Sequence, residues 1–238
     1  MIPAVLMDMP EINGDILAMG LAWYAVFVFS TVLHEAAHAL VAHVGGDDTA
    51  AQGGQVGLNP LPHMQREPVG MVLVPWISFF ISHWMMGWAS APYDPTWAAQ
   101  YPKRAARMAL AGPAANFLIA LVTGVILRVG LTQGWFVADG SDLTQVVAAP
   151  GGEASALTIL LSIAFTLNLL LGAFNLLPLP PLDGAGVVGL FMSDRAARRW
   201  QELTHNPQWL MVGMMAAWLI FYRVGGYVLG WGVHLLYR

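Results

Sequence analysis

Apolar residues in this chain gather in long blocks separated by short polar stretches. One uncharged block begins at residue 16 and runs to residue 33; its helical pattern continues through His34 and His38 to Gly45-Gly46, where two glycines stop a helix. A first helix is therefore expected over about 16–44. Residues 108–127 and 154–179 form two further uncharged runs, each long enough to cross roughly 30 Å of hydrocarbon. The last run, 208–237, is interrupted by Arg223 and Gly225-Gly226 into pieces too short to span alone, so one tilted final span is the simpler expectation. Two stretches fit neither pattern. Residues 50–60, AAQGGQVGLNP, are glycine-rich and β-prone, and the apolar run 69–91 carries Pro75 near its start.

Composition turns these blocks into a class. Of 238 residues 57% are hydrophobic and 10% charged, against roughly 25% charged in a soluble domain. The expected fold is an all-α polytopic membrane protein with about four transmembrane helices, a re-entrant segment and a short β-prone loop after the first helix. With no internal repeat and no separate soluble unit, residues 1–238 form a single membrane-embedded domain, with a core of about 16–190 and a C-terminal span of about 208–237. Residues 1–15 hold Asp8, Glu11 and Asp15 and no Lys or Arg. They lack the basic start of a cleavable signal peptide, so the first span is expected to be retained. The absence of cysteine excludes disulfides, thiolate metal ligands and a Cys nucleophile. A net charge of −4 gives no reason to expect a nucleic-acid partner.

Charge also orients the spans. Lys103, Arg104 and Arg107 form one basic cluster and Arg195, Arg198 and Arg199 another, whereas residues 130–153 carry Asp139, Asp142 and Glu153 and no basic residue. By the positive-inside bias both basic loops are cytoplasmic, the second helix runs outward and the third inward. The three arginines of the second cluster are expected at lipid headgroups, and Trp200, Trp209, Trp231 and Tyr237 as interface anchors.

Near the inner end of the first helix stands His34-Glu35-Ala36-Ala37-His38. Histidines at i and i+4 share a helix face and can close on one Zn²⁺, with the intervening Glu beside it as a general base. Three such residues in a hydrophobic helix are expensive unless paired, metal-bound or facing a wet cavity. A metal-free network of hydrogen bonds is the alternative. Zinc needs a third protein ligand. His43, five residues after His38, points roughly 140° away, and Asp183, in NLLPLPPLDG at 175–184, is the better candidate because three prolines break the third helix there. If His34, His38 and Asp183 share a metal, an odd number of crossings separates them. The second helix supplies one, so 69–91 is expected to be re-entrant rather than spanning.

Together HEAAH at 34–38, AGPAAN at 111–116 and NLLPLPPLDG at 175–184 resemble the site-2 protease family of intramembrane zinc metalloproteases, in its short form without PDZ or CBS domains. GLNPLPH at 57–63 looks like a loop of the short members, although Gln65-Arg66-Glu67 replaces an acidic residue often found after its histidine. The resemblance implies one Zn²⁺ per chain held by His34, His38 and Asp183, with Glu35 as catalytic acid/base and Asn116 and Asn175 near the reaction. It implies cleavage of peptide bonds within or next to transmembrane segments of membrane-protein substrates, in a multi-pass protein of the plasma membrane whose active site faces the cytoplasm. The competing reading is a metal-binding membrane protein without protease activity, a carrier or a sequestering partner, against which the intact Glu35 argues. Read from the residues alone, Gly112 and Asn116 one turn apart suit close helix packing, His63 and His83 suit packing or interfacial positions, and residues 53–57 could offer an edge strand to an extended substrate. Partners beyond the substrate and membrane lipids, and the oligomeric state, are not legible.

Overall fold

The protein is described by a computed structural model covering residues 13–140 and 142–238. Asp8 and Glu11 of the acidic N-terminal stretch lie outside the described residues. Among the described residues, four helices are long and apolar enough to cross a membrane: α1 (Gly14–Val44), α6 (Pro102–Thr132), α7 (Ala156–Asn175) and α10 (Pro207–Tyr237). Each starts on a residue chemistry that suits it. Asn13 caps α1 through the Ile16 amide, Ser155 forms a capping box with Thr158 on α7, Asn206 caps α10 through the Gln208 amide, and Pro102 opens α6.

The bounds differ from the expected ones for physical reasons. α6 extends to Pro102 and Thr132 because its basic first turns, excluded from an uncharged window, are still good helix formers. α7 stops at Asn175, four residues before the expected end, since Pro178 cannot continue a helix and restricts the residue before it. The last span is one continuous helix, as expected, with Gly225 buried in it.

Side-chain bonds fix the relative directions. Ser30 on α1 meets Asn168 on α7, and α6 runs between them in the opposite sense. The C-terminal ends of α1 and α7 and the N-terminal end of α6 therefore share one end of the molecule, hereafter the metal end. A cluster of Trp23, Val26, Phe27, Phe79, Met85, Ile163 and Leu167 fills the other half of the interface between α1 and α7.

The stretch 50–60 is not β. It folds as α2 (Thr49–Gln52), a turn with Gly54 at φ +76° and the start of α3 (Pro60–Arg66). Gln55, expected on an edge strand, is 2% exposed and donates to the Ser90 carbonyl at 3.0 Å. One side-chain bond to the neighbouring loop outweighs a β propensity that needs a partner strand to act. The strand pair that does form, β1 (Val137–Ala138) with β2 (Val147–Ala148), lies at the opposite end, between α6 and α7.

Residues 69–91 turn back on themselves. A π turn, Val69–Leu73, leads into α4 (Val74–Ser82), His83 ends it in the left-handed conformation, and the chain returns extended. The return is stitched to the outward leg: the Trp88 amide donates to Gly70 O at 3.2 Å, and Ser90 Oγ donates to Glu67 Oε1 at 2.6 Å. Close approach requires glycine here, because a Cβ on Gly70 would lie 2.3 Å from Trp88 O. With Ser90 back beside Glu67, the segment begins and ends at the metal end. α5 (Pro95–Gln100) then leads into α6, and beyond α7 follow α8 (Asp183–Val187), a 3-10 turn (Val188–Phe191) and α9 (Asp194–Thr204).

Candidate metal centre

His34 and His38 are 8% and 6% exposed on the face of α1 turned toward α6. Asp183 is brought to them by the sharp turns that follow α7, and among the described residues these three have ligand atoms close enough to hold one ion. His34 Nε2 lies 3.1 Å from Asp183 Oδ2, His38 Nε2 lies 3.3 Å from Asp183 Oδ1, and the two Nε2 atoms are 3.0 Å apart. Atoms about 2.0–2.2 Å from a tetrahedral zinc sit about 3.3 Å from one another, so the spacing fits.

Which nitrogen faces inward is decided at a distance. Asn168 Nδ2 donates to Ala164 O and to Ser30 Oγ, each at 2.8 Å. Its Oδ1 thus accepts from Asn116 Nδ2 at 2.8 Å, which turns Asn116 Oδ1 toward His34 Nδ1 at 2.5 Å. His34 must carry its proton on Nδ1. His38 does the same, donating Nδ1–H to Met108 O at 2.7 Å. Both Nε2 lone pairs then point at a carboxylate, and three acceptor atoms converge on one point with no donor among them. Such a cluster is repulsive unless a bound proton or a metal cation sits in it.

α6 makes room for that cation. A Cβ at Gly112 would lie 2.3 Å from His38 Nε2 and 2.5 Å from His34 Nε2, inside the space a metal would take. The small residue read from AGPAAN as a packing device therefore also keeps the ligand atoms accessible. Glu35 is 6% exposed, makes no hydrogen bond among the described residues, and acts electrostatically on His38 and His63.

The other candidates separate. His43 lies away from the centre, exposed and paired with Asp48 at 2.6 Å. His63 is fully buried on α3 between Gln55 and the Gly57 carbonyl, and interacts electrostatically with Glu35. Burial holds its imidazole below the ordinary value, which keeps it neutral. Asn175 ends α7 half-buried, with no side-chain hydrogen bond among the described residues. Sequence reasoning missed Asn168 and Ser30; the available signal was a lone amide in the middle of an uncharged run.

Basic side chains brace the same end. Lys103 Nζ donates to the carbonyls of Gly189 and Leu190 at 3.0 and 2.9 Å and also to that of Met192, tying the turn after α8 to the start of α6. Arg104 holds Gly45 O and Arg198 holds Ala99 O, each at 3.0 Å. Arg198, expected at lipid headgroups, thus bonds the backbone of the protein itself.

The sequence profile of peptidase family M50 matches residues 22–220. A Bacillus subtilis (strain 168) protein named "Putative zinc metalloprotease YwhC" is 33% identical over 162 residues, 68% of this chain and 64% of that protein. The chain thus spans under two thirds of that relative's length. No solved structure matches it. Because the profile runs from the helix that carries both histidines, past Asp183, and into the last span, this multi-pass membrane protein belongs to peptidase family M50, the site-2 protease family.

Proposed function

We propose that the chain is an intramembrane zinc endopeptidase that cleaves peptide bonds within or next to transmembrane segments. It would hold one Zn²⁺ on His34, His38 and Asp183 and lie in the plasma membrane with the site toward the cytoplasm. The observation that carries this reading is the convergence of three acceptor atoms beside a carboxylate with no hydrogen bond of its own, Glu35. A bound zinc would supply Lewis acidity at the scissile carbonyl and lower the pKa of water toward about 7.

The chain's own residues do the rest. Glu35 accepts the proton of the attacking water and returns it to the leaving amine. Asn116 acts through His34, holding the tautomer that leaves Nε2 free, and is a positioning residue. Asn175, uncommitted at the end of α7, is assigned the hydrogen bond to the oxygen that gains charge as the carbonyl is attacked. The cytoplasmic orientation rests on Lys103, Arg104, Arg107 and the arginines of α9 lying at the metal end.

The test is Glu35→Gln in purified protein in micelles. Zinc content should stay near one per chain while cleavage of a model transmembrane substrate is lost. Turnover retained by the variant would remove Glu35 from its role; zinc binding without cleavage by the unmodified protein would favour the carrier reading.

A further inference from the structure

A cavity of about 210 Å³ opens beside Asp183 between α6, the proline loop and α9. Its wall includes Ala105, Ala109, Pro181, Ala185 and Leu210, and apart from Asp183 it contains no Asp, Glu, Lys or Arg. An apolar cavity of about 150 Å³ already admits benzene, so this one has room for a side chain the size of Leu, Met or Phe. An acidic side chain placed there would be desolvated beside the Asp183 carboxylate without a partner.

The width of the cavity is fixed from outside. At its edge Tyr93, between the re-entrant segment and α5, donates its hydroxyl to His205 Nε2 at 2.6 Å, while His205 Nδ1–H donates to Gln201 O at 2.7 Å. Trp200 Nε1 donates to Ala185 O at 2.7 Å and draws α9 onto α8. The wall is therefore held by three segments rather than by a flexible loop. Because a metal-binding carboxylate forms part of it, a group bound in the cavity lies next to the carbonyl under attack.

We propose that this cavity is the specificity pocket for the substrate residue flanking the scissile bond, accepting an uncharged side chain of Leu to Phe size, with Ala105 and Leu210 setting its bore. The inference rests on the proteolytic reading and adds the substrate class to it. Because one methylene in an apolar pocket changes discrimination roughly tenfold or more, the pocket can be reshaped from both sides.

The experiment uses the zinc-loaded full chain in micelles and matched transmembrane substrates carrying Ala, Leu, Phe or Asp at positions flanking the cut. Wild type should prefer Leu and Phe at one position and reject Asp there. Ala105→Val should lower kcat/KM for Phe about tenfold relative to Ala, and Leu210→Ala should raise Phe relative to Leu, with zinc content unchanged in both. If Ala105→Val loses zinc, Leu210→Ala decides alone. Variants that scale all substrates by one factor, or leave the order untouched, overturn the pocket while leaving proteolysis standing. Absence of cleavage by the wild type overturns both.

Discussion

At the residue scale, the centre is set by what each atom cannot do. Neither imidazole can donate inward, because both Nδ1 protons are engaged by carbonyl oxygens. Gly112 cannot carry a side chain without blocking both Nε2 atoms. Gly112→Ala is therefore expected to abolish zinc binding while helix content is kept, checked by metal analysis alongside circular dichroism. Asn168 touches no ligand, yet it fixes the orientation of Asn116. Asn168→Ala should weaken zinc about 10- to 100-fold, the range found when supporting hydrogen bonds behind a metal ligand are removed, read by competition with a chelator. His43→Ala should change neither metal content nor activity; a loss there would show that Asp183 is not the third ligand. The spacing of His34 and His38 was legible because helical periodicity is local. The role of Asn168 was not, since it depends on which helix lies opposite.

At the element scale, Asp47 ties the end of α1 to the chain that follows the re-entrant segment. Its Oδ1 accepts from the Thr49 amide and hydroxyl, and its Oδ2 accepts from the Asp94 amide at 2.9 Å, tying the end of α1 to the residue before α5. Burial alone would raise the Asp47 pKa, but hydrogen bonds from Thr49 and the Asp94 amide more than offset it and lower the net value. Because the folded value is depressed, the stability it contributes is present above the ordinary carboxylate range and is lost as pH falls through the folded value. Asp47→Ala should cost roughly 1–3 kcal/mol at neutral pH by removing part-buried hydrogen bonds to a charged carboxylate. The gap in Tm between variant and wild type should close as the pH is taken below the carboxylate range; a gap independent of pH would contradict the assignment.

At the scale of the whole molecule, the decisive property is parity. His34 and His38 near the C-terminal end of α1 and Asp183 just after α7 can meet only if the chain between them crosses an odd number of times, and α6 supplies the one crossing. Single cysteines can be placed cleanly in this cysteine-free chain. Gln65→Cys and Thr96→Cys should react with an impermeant maleimide from the same side of the membrane and Gln133→Cys from the other. Opposite labelling of Gln65→Cys and Thr96→Cys would mean that residues 69–91 cross, and the shared site of His34, His38 and Asp183 would then be untenable.

Beyond the doubling back of residues 69–91, which parity required once His34, His38 and Asp183 were taken to meet, the sequence by itself determined the four long apolar helices, the HEAAH face and the proline break that frees Asp183. These follow from periodicity, length and hydrogen-bonding capacity, which each stretch carries with it. Tertiary structure alone decided the rest. Residues 50–60 have the composition of a strand, but with Ser90 and His63 in reach Gln55 is buried in a turn. Asn168, read as part of an apolar run, fixes the tautomer of a histidine 134 positions away through Asn116. Gly112 reads as a packing residue until the Nε2 atoms facing it are known. In each case the side chain's role is set by the partner that the fold places opposite it, and a hydrogen bond or a void between distant segments leaves no periodic trace in the chain.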